Sequence, residues 1–251
     1  MKKALIFIIF LFFTVGFLYA KENGIDTTAN KELYKQAIHF QKTKDYHNSV
    51  KNYNILISKG VKNSDIYYNL ALSYIGLGEY GKSSLNIERA LKISPRDKDI
   101  RKLKRELSKI IKEPKENIAE KVISQIKLIG SLNELTIVVF TIFFMICIFI
   151  SLYCLYYKKT YIKIALILFI FFMANCPLMY MKINDELLSK KAVIITTTQV
   201  RNGPIKKEVP SFEIVSGRKV TVLAELGRWR NIKSSIDGFS GWIDKSSLEL
   251  I

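Results

Sequence analysis

Histidine and cysteine are the side chains of this chain best suited to nucleophilic, acid–base or metal chemistry, and its 251 residues include two histidines and three cysteines. His39 and His47 have no acidic or cysteine partner at metal-site spacing. Cys147, Cys154 and Cys176 all fall inside apolar runs, which excludes them from a soluble metal site or a disulfide framework. These residues assemble no Ser-His-Asp, Cys-His or paired-carboxylate arrangement. The sequence therefore predicts a binding protein, with no enzymatic activity, cofactor or metal.

Two uncharged apolar runs indicate a membrane hairpin. Residues 135–157 contain no Asp, Glu, Lys, Arg or His, and neither do residues 164–181. A membrane-crossing helix takes roughly 20 residues, with a lower limit of about 17. Backbone groups must be paired in lipid, so both runs must be helices. The sequence predicts transmembrane helix 1 at 135–157 and transmembrane helix 2 at 164–181.

The N-terminus predicts that the soluble parts are exported. Lys2 and Lys3 precede a short apolar stretch that ends in Ala20 before a polar segment, as in a secretory signal peptide at 1–20; an uncleaved anchor is the alternative. The loop 158–163 between the apolar runs is rich in lysine and free of acids, which favours a cytoplasmic position. We therefore expect a multi-pass protein of the bacterial inner (cytoplasmic) membrane whose N-terminal and C-terminal domains are extracytoplasmic.

The composition agrees with a membrane-bound protein made of small domains. Its formal net charge of +17 would suggest nucleic acid in a cytosolic protein, but export excludes that partner. The positive charge instead fits a solvated surface beside an anionic bilayer. At this length there is room for two small soluble domains and a hairpin, and not for a large catalytic core.

The segment before the membrane resembles a tetratricopeptide repeat domain, 30–112. The repeat at 64–97 carries the family's pattern, and one period of about 34 residues earlier a weaker copy occupies 30–63. A charged helix at 98–112, with Ile100, Leu103, Leu107 and Ile110 on one side, predicts the cap that covers the last apolar face of a short solenoid. Apolar residues every three or four positions then predict an amphipathic juxtamembrane helix at 115–133, lying in the headgroup plane or docked on a partner. The signature positions of the stronger repeat are Tyr67, Leu70, Ala71, Tyr74, Tyr80, Ser83, Ile87, Ala90 and Pro95.

Repeats of this kind bind peptides in a concave groove lined by the first helix of each unit. Asn69 is of special interest because a side-chain amide can hold an extended peptide backbone by two hydrogen bonds. Lys31 and Lys35 suit an acidic segment or a C-terminal carboxylate, although they and the tyrosines also fit an ordinary solvated or half-buried surface. The resemblance implies the groove positions Lys31, Tyr34, Lys35, Ile38, Tyr68, Asn69, Leu72 and Ile75.

Residues 188–251 resemble a bacterial SH3 domain, a small all-β barrel. Alternating apolar residues separated by glycine turns predict short antiparallel strands. Arg228, Trp229, Arg230 and Trp242 are the candidate ligand surface, suited to an acidic or peptide ligand; Trp242 also fits a role in holding the last strand to the core. The matching segments are 192–195, 200–204, 217–223, 227–232 and 237–243.

The order of these modules resembles the BatE family of Bacteroides aerotolerance operons over nearly the whole chain. The fold class expected is a multidomain membrane protein: an all-α tetratricopeptide superhelix, a two-helix transmembrane hairpin and an SH3-like barrel. The resemblance implies a scaffold in an aerotolerance or envelope-stress complex with von Willebrand A-domain membrane proteins and a MoxR-type ATPase. The alternative is a cell-wall adaptor whose SH3-like domain contacts peptidoglycan.

Overall fold

The computed structural model describes residues 28–111, 132–205, 210–234 and 238–251. The predicted signal peptide, 1–20, lies outside these residues, and so does the predicted juxtamembrane helix, 115–133, apart from its last two residues. The described part of the chain contains seven α-helices, two of them strongly apolar, and small antiparallel sheets. That mixture of helical and β segments confirms the broad class expected from the sequence.

The chain divides into two compact units, Met1–Glu79 and Tyr80–Ile251. The boundary falls inside the predicted second repeat, 64–97, so the second helix of that repeat belongs to the same unit as the C-terminal strands.

The described part of the first unit contains three helices: α1, Thr28–Lys42; α2, Tyr46–Ser58; and α3, Ser64–Gly76. The Asp45 side chain accepts from the backbone N–H of Asn48 and caps α2; the Asn63 side chain caps α3. Such caps satisfy backbone donors that the helix leaves unpaired. The helices meet around one apolar core, formed by Ala37, Tyr53, Leu56, Val61, Ile66, Leu70 and Tyr74.

Two further helices, α4, Tyr80–Ile93, and α5, Lys98–Ile110, open the second unit. Asp97 caps α5 through the backbone N–H groups of its first turn. The sequence predicted Ile110 on the buried side of α5, but Ile110 is 50% exposed and Ile111 is buried instead. The helix ends there, and the following residue turns inward. The other apolar residues predicted for that side, Ile100, Leu103 and Leu107, are buried.

The two apolar helices are α6, Leu132–Tyr156, and α7, Lys159–Ile183. Both are long and apolar enough to cross a membrane, and they pack against each other with Phe143 and Phe172 in ring contact. Only 11% and 6% of the most apolar stretch of each is buried, which does not favour core helices of a soluble protein.

A π-helical turn, Asn184–Leu188, leads from α7 into the β-domain, residues 190–251. Its main sheet has the order β6-β5-β4-β1-β7, and β2 pairs with β3 in a second sheet; every described pairing is antiparallel. Nine residues fill one core, among them Val200, Ile232 and Ile243. The strands are β1, Lys190–Ile194; β2, Thr198–Val200; β3, Phe212–Ile214; β4, Lys219–Leu226; β5, Trp229–Lys233; β6, Ser240–Asp244; and β7, Leu248–Leu250.

The β-domain packs on α4 through a face that we call the docking face: Gly81, Ser84 and Glu88, spaced three and four residues apart on one side of the helix. A Cβ atom at Gly81 would lie 2.3 Å from the carbonyl oxygen of Ile195, the residue that follows β1, so the backbone of α4 lies directly against the end of this strand. Ser84 Oγ donates to the carbonyl of Gly217 at 2.7 Å. The docking face of α4 is thus covered by the β-domain.

Candidate binding surfaces

The predicted groove residues lie on α1 and α3, which contact each other. Lys31 and Lys35 are exposed, whereas the other six are half-buried. A half-buried surface with exposed lysines beside it can receive an extended segment that carries negative charge. The positions on α1 are Lys31, Tyr34, Lys35 and Ile38, and those on α3 are Tyr68, Asn69, Leu72 and Ile75.

Asn69 is fixed by a network that joins the two groove helices. Its Nδ2 donates to Tyr34 Oη at 3.2 Å, and its backbone carbonyl accepts from Gln41 Nε2 at 3.1 Å. Tyr53 Oη donates to Gln41 Oε1 at 3.4 Å, and the rings of Tyr34 and Tyr53 meet edge to face with centroids 6.1 Å apart. The side-chain amide is therefore held in one orientation before any ligand arrives.

The orientation leaves part of the amide available. One Nδ2 hydrogen is used by Tyr34, while the second, and the Oδ1 acceptor, have no hydrogen-bond partner among the described residues. A donor and an acceptor on one planar amide match the alternating carbonyl and N–H groups of an extended backbone. The arrangement can hold a peptide.

Both tyrosines of the network are neutral hydrogen-bonding groups at physiological pH. Burial raises the pKa of Tyr34, and the charge of Asp65 raises it further, against a smaller lowering by the bond from Asn69. Burial, with Tyr34 beside it, also raises the pKa of Tyr53. The floor of the groove therefore carries no negative charge of its own from these phenols.

In the β-domain, Trp229 and Trp242 lie on the same face of β5 and β6. Asn231 pairs with Trp242 in the antiparallel register, and Trp229 is two residues along. Gly241 and Ile243, on either side of Trp242, are buried, so alternation along the strand turns the half-buried Trp242 away from the core. Trp242 is outside the described hydrophobic core cluster. Its role in holding the last strand to the core stays a prediction.

The two arginines predicted for this surface form ion pairs with acidic side chains of the same domain. Arg228 Nε donates to Asp244 Oδ2 at 2.9 Å, and its guanidinium lies 5.8 Å from the Trp229 ring centroid. Arg230 is buried and ion-paired with Glu225. The backbone N–H of Ser246, followed by the bond from Arg228, lowers the pKa of Asp244 to about 2. An acidic ligand would have to compete with these carboxylates.

Sequence reasoning missed two buried polar groups. The Oδ1 atom of Asn231, on the face shared by Trp229 and Trp242, is buried and has no hydrogen-bond partner among the described residues. Glu88, 6% exposed, pairs with Lys104 at 2.5 Å and with Lys219. One feature of the sequence could have indicated that Glu88 is buried. It lies seven residues after Gly81, on a helix face that otherwise carries small residues.

Among the described residues, no group of three or more His, Cys, Asp and Glu side chains could hold a metal ion. His39 and His47 are both exposed, on α1 and α2. No protein-family model matches the chain, and no curated protein matches it significantly.

Proposed function

We propose that this chain is a non-enzymatic, membrane-anchored scaffold that holds a peptide segment of a protein partner between α1 and α3. The observation that carries the proposal is the oriented amide of Asn69, with a donor and an acceptor left for a ligand. Lys31 and Lys35 at the exposed edge favour an acidic segment or a C-terminal carboxylate.

The module types, location and partners that we propose rest on the sequence. The helix pairs are tetratricopeptide repeats, the β-domain is SH3-like, and both lie outside the bacterial inner membrane. As the resemblance to the BatE family implies, the partners are von Willebrand A-domain membrane proteins of an aerotolerance or envelope-stress complex. Support comes from the 34-residue repeat period, the two helices that could span a membrane and the single apolar core of the β-domain.

Affinity purification of the tagged full chain from mild-detergent membranes tests the groove. We expect A-domain membrane proteins to co-purify with the wild type and to be lost, by about tenfold or more, from the double variant Asn69→Ala with Leu72→Asp. The variant removes the amide and places a negative charge that repels an acidic segment or carboxylate.

The matched control is Asn54→Ala with Lys51→Asp, the same two introduced residues at exposed positions of α2 outside the groove set. Circular dichroism of each variant checks that the helices still form. Equal recovery of partners by both double variants would contradict the groove; recovery of cell-wall fragments alone would favour the adaptor function.

The second candidate function is a cell-wall adaptor, favoured by the shared face of Trp229 and Trp242. Two half-buried aromatic side chains on one face suit the sugar rings of peptidoglycan. If it is correct, the full chain co-sediments with purified peptidoglycan and Trp242→Ala reduces the bound fraction several-fold. Leu223→Ala, at an exposed position of the same domain, is the control; binding that neither substitution changes would exclude this face.

A further inference from the structure

The solvent side of α5 carries a continuous row of positive charge. We name it the basic stripe: Lys98, Lys102, Arg105 and Lys109, which are all exposed and follow one another by four, three and four residues. This spacing keeps them on one side of the helix, opposite the buried Ile100, Leu103 and Leu107. The acids of α5, Asp99 and Glu106, lie beside this row and not within it.

The segment just before α5 is ion-paired with the start of a membrane-length helix. Arg96, two residues before Lys98, is ion-paired with Glu134, and Glu134 lies in the first turn of α6, where the candidate membrane span begins. The basic stripe therefore begins next to the point at which α6 would enter a bilayer. Charges attract an anionic surface when they lie within about 8–10 Å of it at physiological salt.

We propose that the basic stripe binds anionic phospholipid headgroups of the leaflet that α6 enters. Lysine and arginine side chains beside an anionic membrane surface each gain a substantial attraction, and a row of four on one helix face adds these gains. Headgroup binding would hold α4, α5 and the attached β-domain against the membrane surface. The inference rests on the membrane hairpin of the proposed function, but not on the groove or its partner.

The experiment compares the full wild-type chain in nanodiscs of phosphatidylcholine alone with nanodiscs containing phosphatidylglycerol. Lysines are acetylated with acetic anhydride, an uncharged reagent. The acetylation rate of each lysine is measured by mass spectrometry. We expect the labelling rates of Lys98, Lys102 and Lys109 to fall by about fivefold in the anionic discs, and high salt to restore them.

The internal controls are Lys42, Lys51 and Lys59, exposed lysines of the first unit, whose rates should not change. Unchanged rates at the stripe, or equal protection of the controls, would overturn the proposal. So would protection by soluble polyglutamate but not by anionic discs, which would point to an acidic protein partner. A chain that does not stay with the discs would refute the hairpin, and the stripe proposal with it; a chain that stays with unchanged labelling refutes the stripe alone.

Discussion

Gly81→Val is expected to separate the β-domain from α4 and to lower the stability of the second unit by about 3 kcal/mol or more. A Cβ atom at this position meets the backbone oxygen of Ile195 at 2.3 Å and its carbonyl carbon at 2.8 Å. Backbone atoms cannot turn aside as the end of a flexible side chain can, so the helix and the strand must move apart. The contacts of Ser84 and Glu88 with the β-domain are then lost too.

Tryptophan fluorescence measures this loss selectively, because both tryptophans of the chain, Trp229 and Trp242, lie in the β-domain. We expect the Tm seen by tryptophan emission to fall by roughly 10 °C or more, with Gly81→Ala giving a smaller decrease than Gly81→Val. Ile93→Ala, at the exposed end of α4, is the control. A Gly81→Val protein that melts with the wild type would show that the helix–strand contact is not maintained in solution.

Glu88→Gln is expected to cost about 2–3 kcal/mol, because it removes the carboxylate that Lys104 and Lys219 share. Removing one partner of a fully buried ion pair costs about 3–5 kcal/mol. The two lysine side chains are 39% and 36% exposed, so they can turn to water and the loss is smaller. Glu106→Gln, at an exposed acid of α5, provides the matched control, and equal Tm values for the two variants would contradict a role for the buried pair.

The same pair makes stability depend on pH. Burial alone would raise the pKa of Glu88, but attraction to Lys104 and Lys219, with the hydrogen bonds they donate, outweighs burial and lowers the pKa well below the ordinary 4.5. A group whose pKa is depressed by folding stabilises the protein fully above its unfolded pKa and loses that stabilisation as the pH falls toward its folded pKa. Wild type should therefore lose Tm below about pH 4.5 more steeply than Glu88→Gln, as measured by tryptophan emission.

The broad mixture of helices and strands could be predicted from the sequence because its signals are local. The uncharged runs and the alternating apolar residues each depend on residues that are neighbours along the chain. The docking of α4 on β1 joins positions more than a hundred residues apart, such as Ser84 and Gly217, and a single sequence contains no local signal for such a contact.

The candidate sites show the same limit. The groove positions followed from a repeat pattern, but the bond from Asn69 to Tyr34 links residues 35 positions apart and could not be read from either helix alone. The sequence left Arg228 and Arg230 as candidates for binding an acidic ligand. Asp244 and Glu225 come close enough to pair with them only through the strand register. The orientation of Trp242 away from the core depends on which face of β6 is buried, and the buried residues of that strand are Gly241 and Ile243.

The docking face also has a consequence for synthesis of the protein. The ribosome completes α4 before it begins the hairpin, and the β-domain that covers α4 emerges only after α6 and α7. At about 5–20 residues per second, Ile195 and Lys219 are synthesised several seconds or more after Gly81 and Glu88. The β-domain can therefore dock on α4 only after the hairpin has left the ribosome. A nascent chain stalled in the hairpin keeps the docking face uncovered, because the residues that contact it, such as Ile195 and Lys219, have not yet been synthesised.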